Sequence, residues 1–295
     1  MASQARTTDR TRAVQRVLVV EGVANVVAVT AKVGIGLATG SLALLSDALH
    51  SGADLANNVL AWMTVRVAES PPDEEHPYGH AKFETLMVFV LGTLMGVLAL
   101  EILLGVVRRH GETAITSSPA AIAILVGTLV LQAGVAVWQA RRALALRSEL
   151  LRADAQHTFV DSLTTVVALA GWQLGARGLD WLDSVLAIGL AVLVFTLAYQ
   201  LFKRAIPILV DGAAVHPDEL RAAAEAVSGV RGVGRARSRW DGQRRVADVV
   251  VHVDRGLDTS ASHAIADAVE RRLAEDLEIA DALVHVEPAG DGLTA

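Results

Sequence analysis

The feature that most constrains this chain is a group of ionisable side chains set inside a run apolar enough for a membrane. Residues 41–84 read SLALLSDALHSGADLANNVLAWMTVRVAESPPDEEHPYGHAKFE, with Asp47, His50 and Asp54 in the otherwise hydrophobic part. Ionisable groups at membrane depth are costly and mark function by default. On a helix His50 and Asp54 stand at i and i+4, so an imidazole and a carboxylate share one face about one turn apart. The same spelling, Asp-Ala-x-His-x-x-x-Asp, returns at Asp154, His157 and Asp161, again at the head of an apolar run. Two such helices packed side by side bring together His50, Asp54, His157 and Asp161, which is the ligand number Zn2+ takes in tetrahedral geometry.

The rest of the composition narrows the class. With 53% hydrophobic and 20% charged residues and a mean hydropathy of +0.43, the chain is too apolar for an ordinary soluble protein. It has no cysteine, so any metal is held by nitrogen and oxygen, which suits Zn2+ or a neighbouring divalent ion. A net charge of -6 without a Lys/Arg-rich face argues against nucleic acid. The N-terminal MASQARTTDRTRAVQR leads into the first apolar run without a small-residue cleavage site, so no cleavable signal peptide is expected.

Six apolar segments are expected, each long enough for a hydrocarbon core of roughly 30 Å. They cover 14–38, 42–67, 83–107, a fourth from 119 to 138, 154–174 and 181–202. Glu21, Asn25 and Lys32 give the first a polar face, directed inward or placed near the two interfaces. Turns are expected at Thr39 and Gly40, at 113–119 and in the Gly-rich stretch 175–180. The fourth segment carries small residues, Gly127, Ala133, Gly134 and Ala136, that would let helices approach closely. A basic connector, RRALALRSELLR, joins it to the fifth.

Basic residues set the orientation. The N-terminal tail and the loops after the second, fourth and sixth segments hold Arg6, Arg10, Arg12, Arg16, Arg66, Lys82, Arg141, Arg142, Arg147, Arg152, Lys203 and Arg204. The opposite side has Arg108, Arg109 and Arg177. Both termini are therefore expected in the cytoplasm, and the chain in the inner (plasma) membrane of a bacterium. The expected division is a tail at 1–13, a six-helix transmembrane domain at 14–208, a cytoplasmic α+β domain at 209–290 and a tail at 291–295.

Two further groups of candidate ligands lie outside the apolar runs. The loop after the second segment contains Asp73, His76 and His80, either a solvated acidic run or a second, more exposed metal site. Beyond Asp211 the pattern reads helix (216–226), strand (230–239), strand (246–254), helix (259–277) and strand (282–286). That α-β-β-α-β order suits a small two-layer, ferredoxin-like sandwich, which would gain from pairing with a second copy. His252 and His285 fall near the ends of strands that could be neighbours, as a metal site or as plain surface histidines.

Together these residues resemble the cation diffusion facilitator family of divalent-metal transporters, over nearly the whole chain. The resemblance implies a transport site of His50, Asp54, His157 and Asp161, a loop site of Asp73, His76 and His80, and a cytoplasmic-domain site drawing on His252, His263, His285 and Glu287. A histidine that some members carry near the first strand of that domain stands here as Gly234 or Arg235. Lys82 and Asp211 match a charge pair that links subunits, implying a homodimer. Histidine and aspartate on both helices imply Zn2+ as transported substrate, with a structural or regulatory Zn2+ elsewhere and no organic cofactor. Imidazole does suit zinc better than harder manganese.

The expected activity is Zn2+/H+ antiport, because protons compete with metal for the same ligands. Asp47 and Asp154, one turn before each histidine, are placed to orient the imidazoles or to guide entry. Competing readings are carriers of Fe2+, Mn2+, Co2+ or Cd2+, a membrane-anchored metal sensor, and a membrane metalloenzyme. No HExxH is present and no glutamate lies beside His50 or His157 to act as general base, which argues against an enzyme.

Overall fold

The computed structural model describes residues 2–39, 42–108, 119–175, 177 and 179–290. Met1, Gly40 and the first part of the expected turn at 113–119 lie outside the described residues, as do Arg109, parts of the Gly-rich turn and the tail 291–295. The chain forms two compact units, Met1–Ala205 and Ile206–Ala295.

The first unit is built from six long helices: α1 (Ala2–Thr39), α2 (Leu42–Ala68), α3 (Lys82–Arg108), α4 (Pro119–Leu146), α5 (Glu149–Gly175) and α6 (Asp180–Leu209). Among the described residues, four stretches are long and apolar enough to cross a membrane: Asp9–Ala38, Lys82–Val107, Ile122–Leu146 and Trp181–Leu209. At 27 residues each, α2 and α5 are also long enough, about 40 Å. They are less apolar because they carry Asp47, His50, Asp54 and Asn58, and Asp154, His157 and Asp161. The unit buries polar side chains within an apolar core and presents large apolar side chains on its outside. Val19, Val23, Val26 and Val27 are exposed on α1, whereas Glu21, Asn25 and Lys32 are buried on its opposite face, so the inward reading of that polar face holds. Leu18, Leu91, Met95, Leu150 and Leu201 pack the remaining interior.

Three local features add to the sequence-based expectations. The N-terminal stretch is helical from Ala2, continuous with the span, because its residues include no proline or glycine to stop the helix. The basic connector is helical too, α4 running to Leu146 and α5 starting at Glu149. The break between them is Arg147, with a left-handed φ of 49°, and Ser148, whose hydroxyl accepts from Leu151 N–H at 3.3 Å as a cap. The glycines of α4 do not mediate close packing: a Cβ on Gly127 or Gly134 would meet nothing within 4 Å. Gly22 on α1 does so instead, since a Cβ there would stand 2.7 Å from Asn58 Oδ1 on α2.

The second unit runs α7 (Pro217–Glu225), β1 (Val230–Asp241), β2 (Arg244–Val253), α8 (Thr259–Leu277) and β3 (Ile279–Pro288), the expected α-β-β-α-β order. The strands lie in the order β1-β2-β3, with β1 and β2 antiparallel and β2 and β3 parallel. A two-residue turn containing Gly242, φ 58°, joins the first pair. The parallel pair needs a crossover, and α8 supplies it. Pro217 opens α7 behind His216, and Asp258 caps α8 by accepting from Ala261 N–H at 2.7 Å. Alternation along β2 buries Ala247, Val249, Val251 and Val253, the first three in one core with Leu220, Val269 and Leu273 of the helices. Asp248, Val250 and His252 therefore face the other way, on a sheet face that no helix of this unit covers.

Candidate metal sites

The two HxxxD faces meet. His157 Nε2 on α5 lies 3.6 Å from Asp54 Oδ1 on α2 and 3.7 Å from Asp161 Oδ2 one turn along its own helix. His50 Nε2 reaches across from α2 to within 3.8 Å of Asp161 Oδ1. Ligand atoms of His50, Asp54 and Asp161 all fall within 4.8 Å of one another. A tetrahedral ion about 2.1 Å from its ligands holds them about 3.4 Å apart, so these three side chains would draw together by up to about 1.4 Å to close on a cation, and His157, outside this grouping, would join them as the fourth ligand. Its atoms are poorly satisfied as they stand: both ring nitrogens of His157 and Oδ1 of Asp161 are buried without a hydrogen-bond partner. Buried polar atoms ordinarily find partners, and this donor set of imidazole nitrogen and carboxylate oxygen fits a divalent metal. His50 is the accessible member, its side chain 51% exposed against 8% for His157.

Neither Asp47 nor Asp154 makes a hydrogen bond to an imidazole. Asp47 instead pairs with Lys32, whose ammonium is 2.8 Å from Oδ2 and donates to Ser51 Oγ at 2.8 Å. Asp154 Oδ2 accepts from Gln139 Nε2 at 2.8 Å, and the same nitrogen donates to Glu21 Oε2 at 2.8 Å. Asn58 and Thr158 complete this cluster around Glu21, at 2.9 and 3.0 Å. The sequence marks Glu21 and Lys32 as ionisable residues in an apolar run, whereas Ser51, Gln139 and Thr158 go unmarked. A lone glutamine in the middle of an apolar helix was the available signal for Gln139.

In the loop, Asp73, His76 and His80 come together as a second group, with ligand atoms within 4.8 Å of one another. His76 Nδ1 and His80 Nε2 each lie 3.3 Å from Asp73, on different oxygens. The loop is organised by its own chemistry. His76 N–H donates to Asp73 Oδ1 at 2.6 Å, Gly79 takes a φ of 92°, and the buried His80 ring stacks on Phe83 with 5.8 Å between centroids. The His76 backbone N–H holds the Asp73 carboxyl below the usual carboxylate range, helped by charge on His80 and His76.

On the open face of the second unit's sheet, His285 Nε2 lies 3.5 Å and His252 Nδ1 3.9 Å from the Glu287 carboxylate. His252 pairs with Glu287 in the strand register, and His285 pairs with Val250. His263 is not brought to them. It sits on α8, in the layer on the sheet's other face, 3.6 Å from Asp267 one turn along. Gly234 packs under His252, where a Cβ would stand 3.0 Å from Nε2. Asp211 lies 3.9 Å from Arg239 within this unit, and Lys82 opens α3 in the other.

The sequence profile of the cation efflux transmembrane domain matches residues 18–210, and that of the cytoplasmic domain of cation efflux proteins matches residues 214–289. The chain is 31% identical over 284 residues to an uncharacterized transporter of Methanocaldococcus jannaschii, covering 94% of this chain and 99% of the relative. It is 30% identical over 263 residues to the manganese efflux system protein MneS of Bacillus subtilis, covering 87% and 89%. With the cation-efflux pump FieF of Pectobacterium atrosepticum it shares 29% over 258 residues, covering 85% and 84%. A profile match over most of the chain, together with six long helices and an α+β domain, leads to one conclusion. The chain belongs to the cation diffusion facilitator family, as an integral membrane transporter of divalent cations rather than an enzyme.

Proposed function

We propose that the chain exports Zn2+ from the cytoplasm in exchange for protons, at the site formed by His50, Asp54, His157 and Asp161. The observation that carries this reading is the grouping of His50, Asp54 and Asp161 ligand atoms within 4.8 Å of one another, with His157 Nε2 3.6 Å from Asp54 and 3.7 Å from Asp161, and with His157 and Asp161 atoms left unsatisfied. Metal requires neutral imidazoles and ionised carboxylates, so protonation of the same groups ejects it. Rocking of helices about a fixed site then couples metal exit to proton entry. The chain lies in a plasma membrane with both termini in the cytoplasm, and it works as a homodimer whose cytoplasmic units pair. The loop and open-face clusters are additional metal sites, and metal at the latter biases the carrier by binding one state more tightly.

The test is metal uptake into proteoliposomes under an imposed pH gradient, for the parent, Asp54→Ala and Asp161→Ala. Gradient-dependent Zn2+ uptake that vanishes in both variants is expected. Binding without transport by intact parent protein would overturn the carrier mechanism in favour of a sensor. Mn2+ is run beside Zn2+, because the MneS relative is by name a manganese efflux protein and two of the four ligands are carboxylates that also suit manganese.

A further inference from the structure

The most deeply buried polar cluster is one the metal ligands do not use. Gln139 is 0% exposed, Glu21 2%, Asp154 3% and Asn58 4%. Gln139 Nε2 donates to Glu21 and to Asp154, each at 2.8 Å, while Asn58 Nδ2 donates to Glu21 Oε2 and the Thr158 hydroxyl to Glu21 Oε1. Two carboxylates thus share one amide nitrogen and stand close enough for a side-chain hydrogen bond between them, and each other partner named is neutral. Buried charges are ordinarily paired, and like charges this close do not both ionise readily.

No cation answers them among the described residues. Lys32, on the same helix as Glu21, is engaged with Asp47 and Ser51. On α2 the remaining titratable groups are His50 and Asp54 of the metal site and the exposed Arg66. On α4 they are the exposed Arg141 and Arg142. On α5, Glu149 and Arg152 lie at its start and His157 and Asp161 at the metal site. On α3, packed against α5, Lys82, Glu84 and Arg108 sit at the ends and Glu101 is exposed.

A separate observation concerns the amide itself. Gln139 Oε1 is buried without any hydrogen-bond partner. A half-turn about the terminal torsion exchanges Nε2 for Oε1, so one side chain can donate to two carboxylates or accept from a carboxylic O–H. Gln139 is therefore able to satisfy the pair with or without a bound proton.

We propose that Glu21 and Asp154 form a proton-binding site distinct from the metal ligands, with Gln139 as its two-way hydrogen-bond partner. One proton adds to a carboxylate oxygen to give a carboxylic acid, and leaves it again when the site is emptied. Asp154 lies one turn before His157 on α5, so emptying and filling this site changes the charge beside the metal cluster during the cycle. That last role rests on the antiport reading, whereas the bound proton does not.

Infrared difference spectroscopy of the full chain in lipid, titrated across neutral pH, reads the protonated carboxyl directly. A carboxylic C=O band is expected in the parent and in Asp54→Ala. In Glu21→Gln and in Asp154→Asn it is lost or titrates at lower pH, because the remaining carboxyl no longer faces a like charge. Either folded variant suffices for the comparison. No such band in the parent, or a band with the parent's amplitude and midpoint in a folded variant, would overturn the proposal. Proton counting during Zn2+ uptake separates the two readings. A parent that moves Zn2+ without protons removes antiport yet leaves the infrared result to decide the site, whereas antiport in the parent with fewer protons per metal in Glu21→Gln supports both.

Discussion

Lys32 on α1 places its ammonium 2.8 Å from Asp47 on α2 and 2.8 Å from Ser51, the two positions that flank His50 in the helical register. The ammonium is 5% exposed and the carboxylate 28%, so the pair is shielded on one side only. Lys32→Met leaves Asp47 unanswered beside the metal site, and a loss of roughly 1–3 kcal/mol is expected for such a half-removed pair. Lys32→Met with Asp47→Asn should recover most of it, because both charges then leave together. Thermal unfolding of the four proteins in one lipid mixture measures the coupling, and simple additivity of the two single losses would mean the contact contributes nothing.

Gly22 makes a second helix contact specific. A Cβ there meets Asn58 Oδ1 at 2.7 Å, and Asn58 donates to Glu21 Oε2. Gly22→Ala is expected to push the Asn58 amide away from Glu21, at a cost of about 1–2 kcal/mol for overpacking and a lost hydrogen bond. The amide end of Asn58 is free to rotate, which keeps the cost from being larger. The unfolding temperature should fall, and Gly22→Ala combined with Asn58→Ala should fall no further than Asn58→Ala alone.

These contacts show where sequence reading stopped. Spacing alone put His50 with Asp54 and His157 with Asp161, because i to i+4 is fixed by helix geometry, and the recurrence of the pattern implied that the two faces meet. Alternation and turn residues likewise gave the order of the α+β unit. Partner choice across helices was not legible: Gln139 reaches Glu21 on another helix far along the chain, and nothing local to either residue encodes that. Small residues marked α4 as a packing helix, yet close approaches fall at Gly22 and Gly36 on α1 and at Gly92 on α3, since composition does not say which face a glycine occupies. His263 shared its residue type with His252 and His285, but the crossover helix carries it away from the open sheet face.

The loop site has a definite pH signature. Asp73 is lowered below the ordinary carboxylate range, first by the His76 backbone N–H. A depressed folded value means the carboxylate favours the ordered loop above the unfolded carboxyl's range, and that contribution is lost as pH falls through the folded value. Asp73 therefore stays ionised under mild acid and remains available as a ligand there, whereas imidazole binds metal only in its neutral form. Calorimetric Zn2+ titrations on a background of Asp54→Ala, which removes a ligand of the proposed transport site, should show affinity falling with acid less steeply in His76→Ala than in the parent loop. Asp73→Asn should lower affinity at every pH with the steepness unchanged; a change in steepness would mean that Asp73 itself titrates there.

The open sheet face offers the last test. Gly234 lies beneath His252, and a Cβ would stand 3.0 Å from its Nε2, tighter than ordinary contact. His252 and His285 both lie against Glu287, at 3.9 and 3.5 Å, so a small shift of His252 takes one ligand out of reach. Gly234→Ala should weaken Zn2+ binding at this cluster by roughly tenfold, the scale of one displaced metal-ligand partner. Gly234→His should do the same rather than strengthen it, because the new ring needs the space His252 occupies. Zn2+ binding to the full chain, with Asp54→Ala and His76→Ala silencing the other clusters, reads the effect. Tighter binding in Gly234→His would show that the sheet opens to admit another ligand, and that the site is built for more than the three groups one chain supplies.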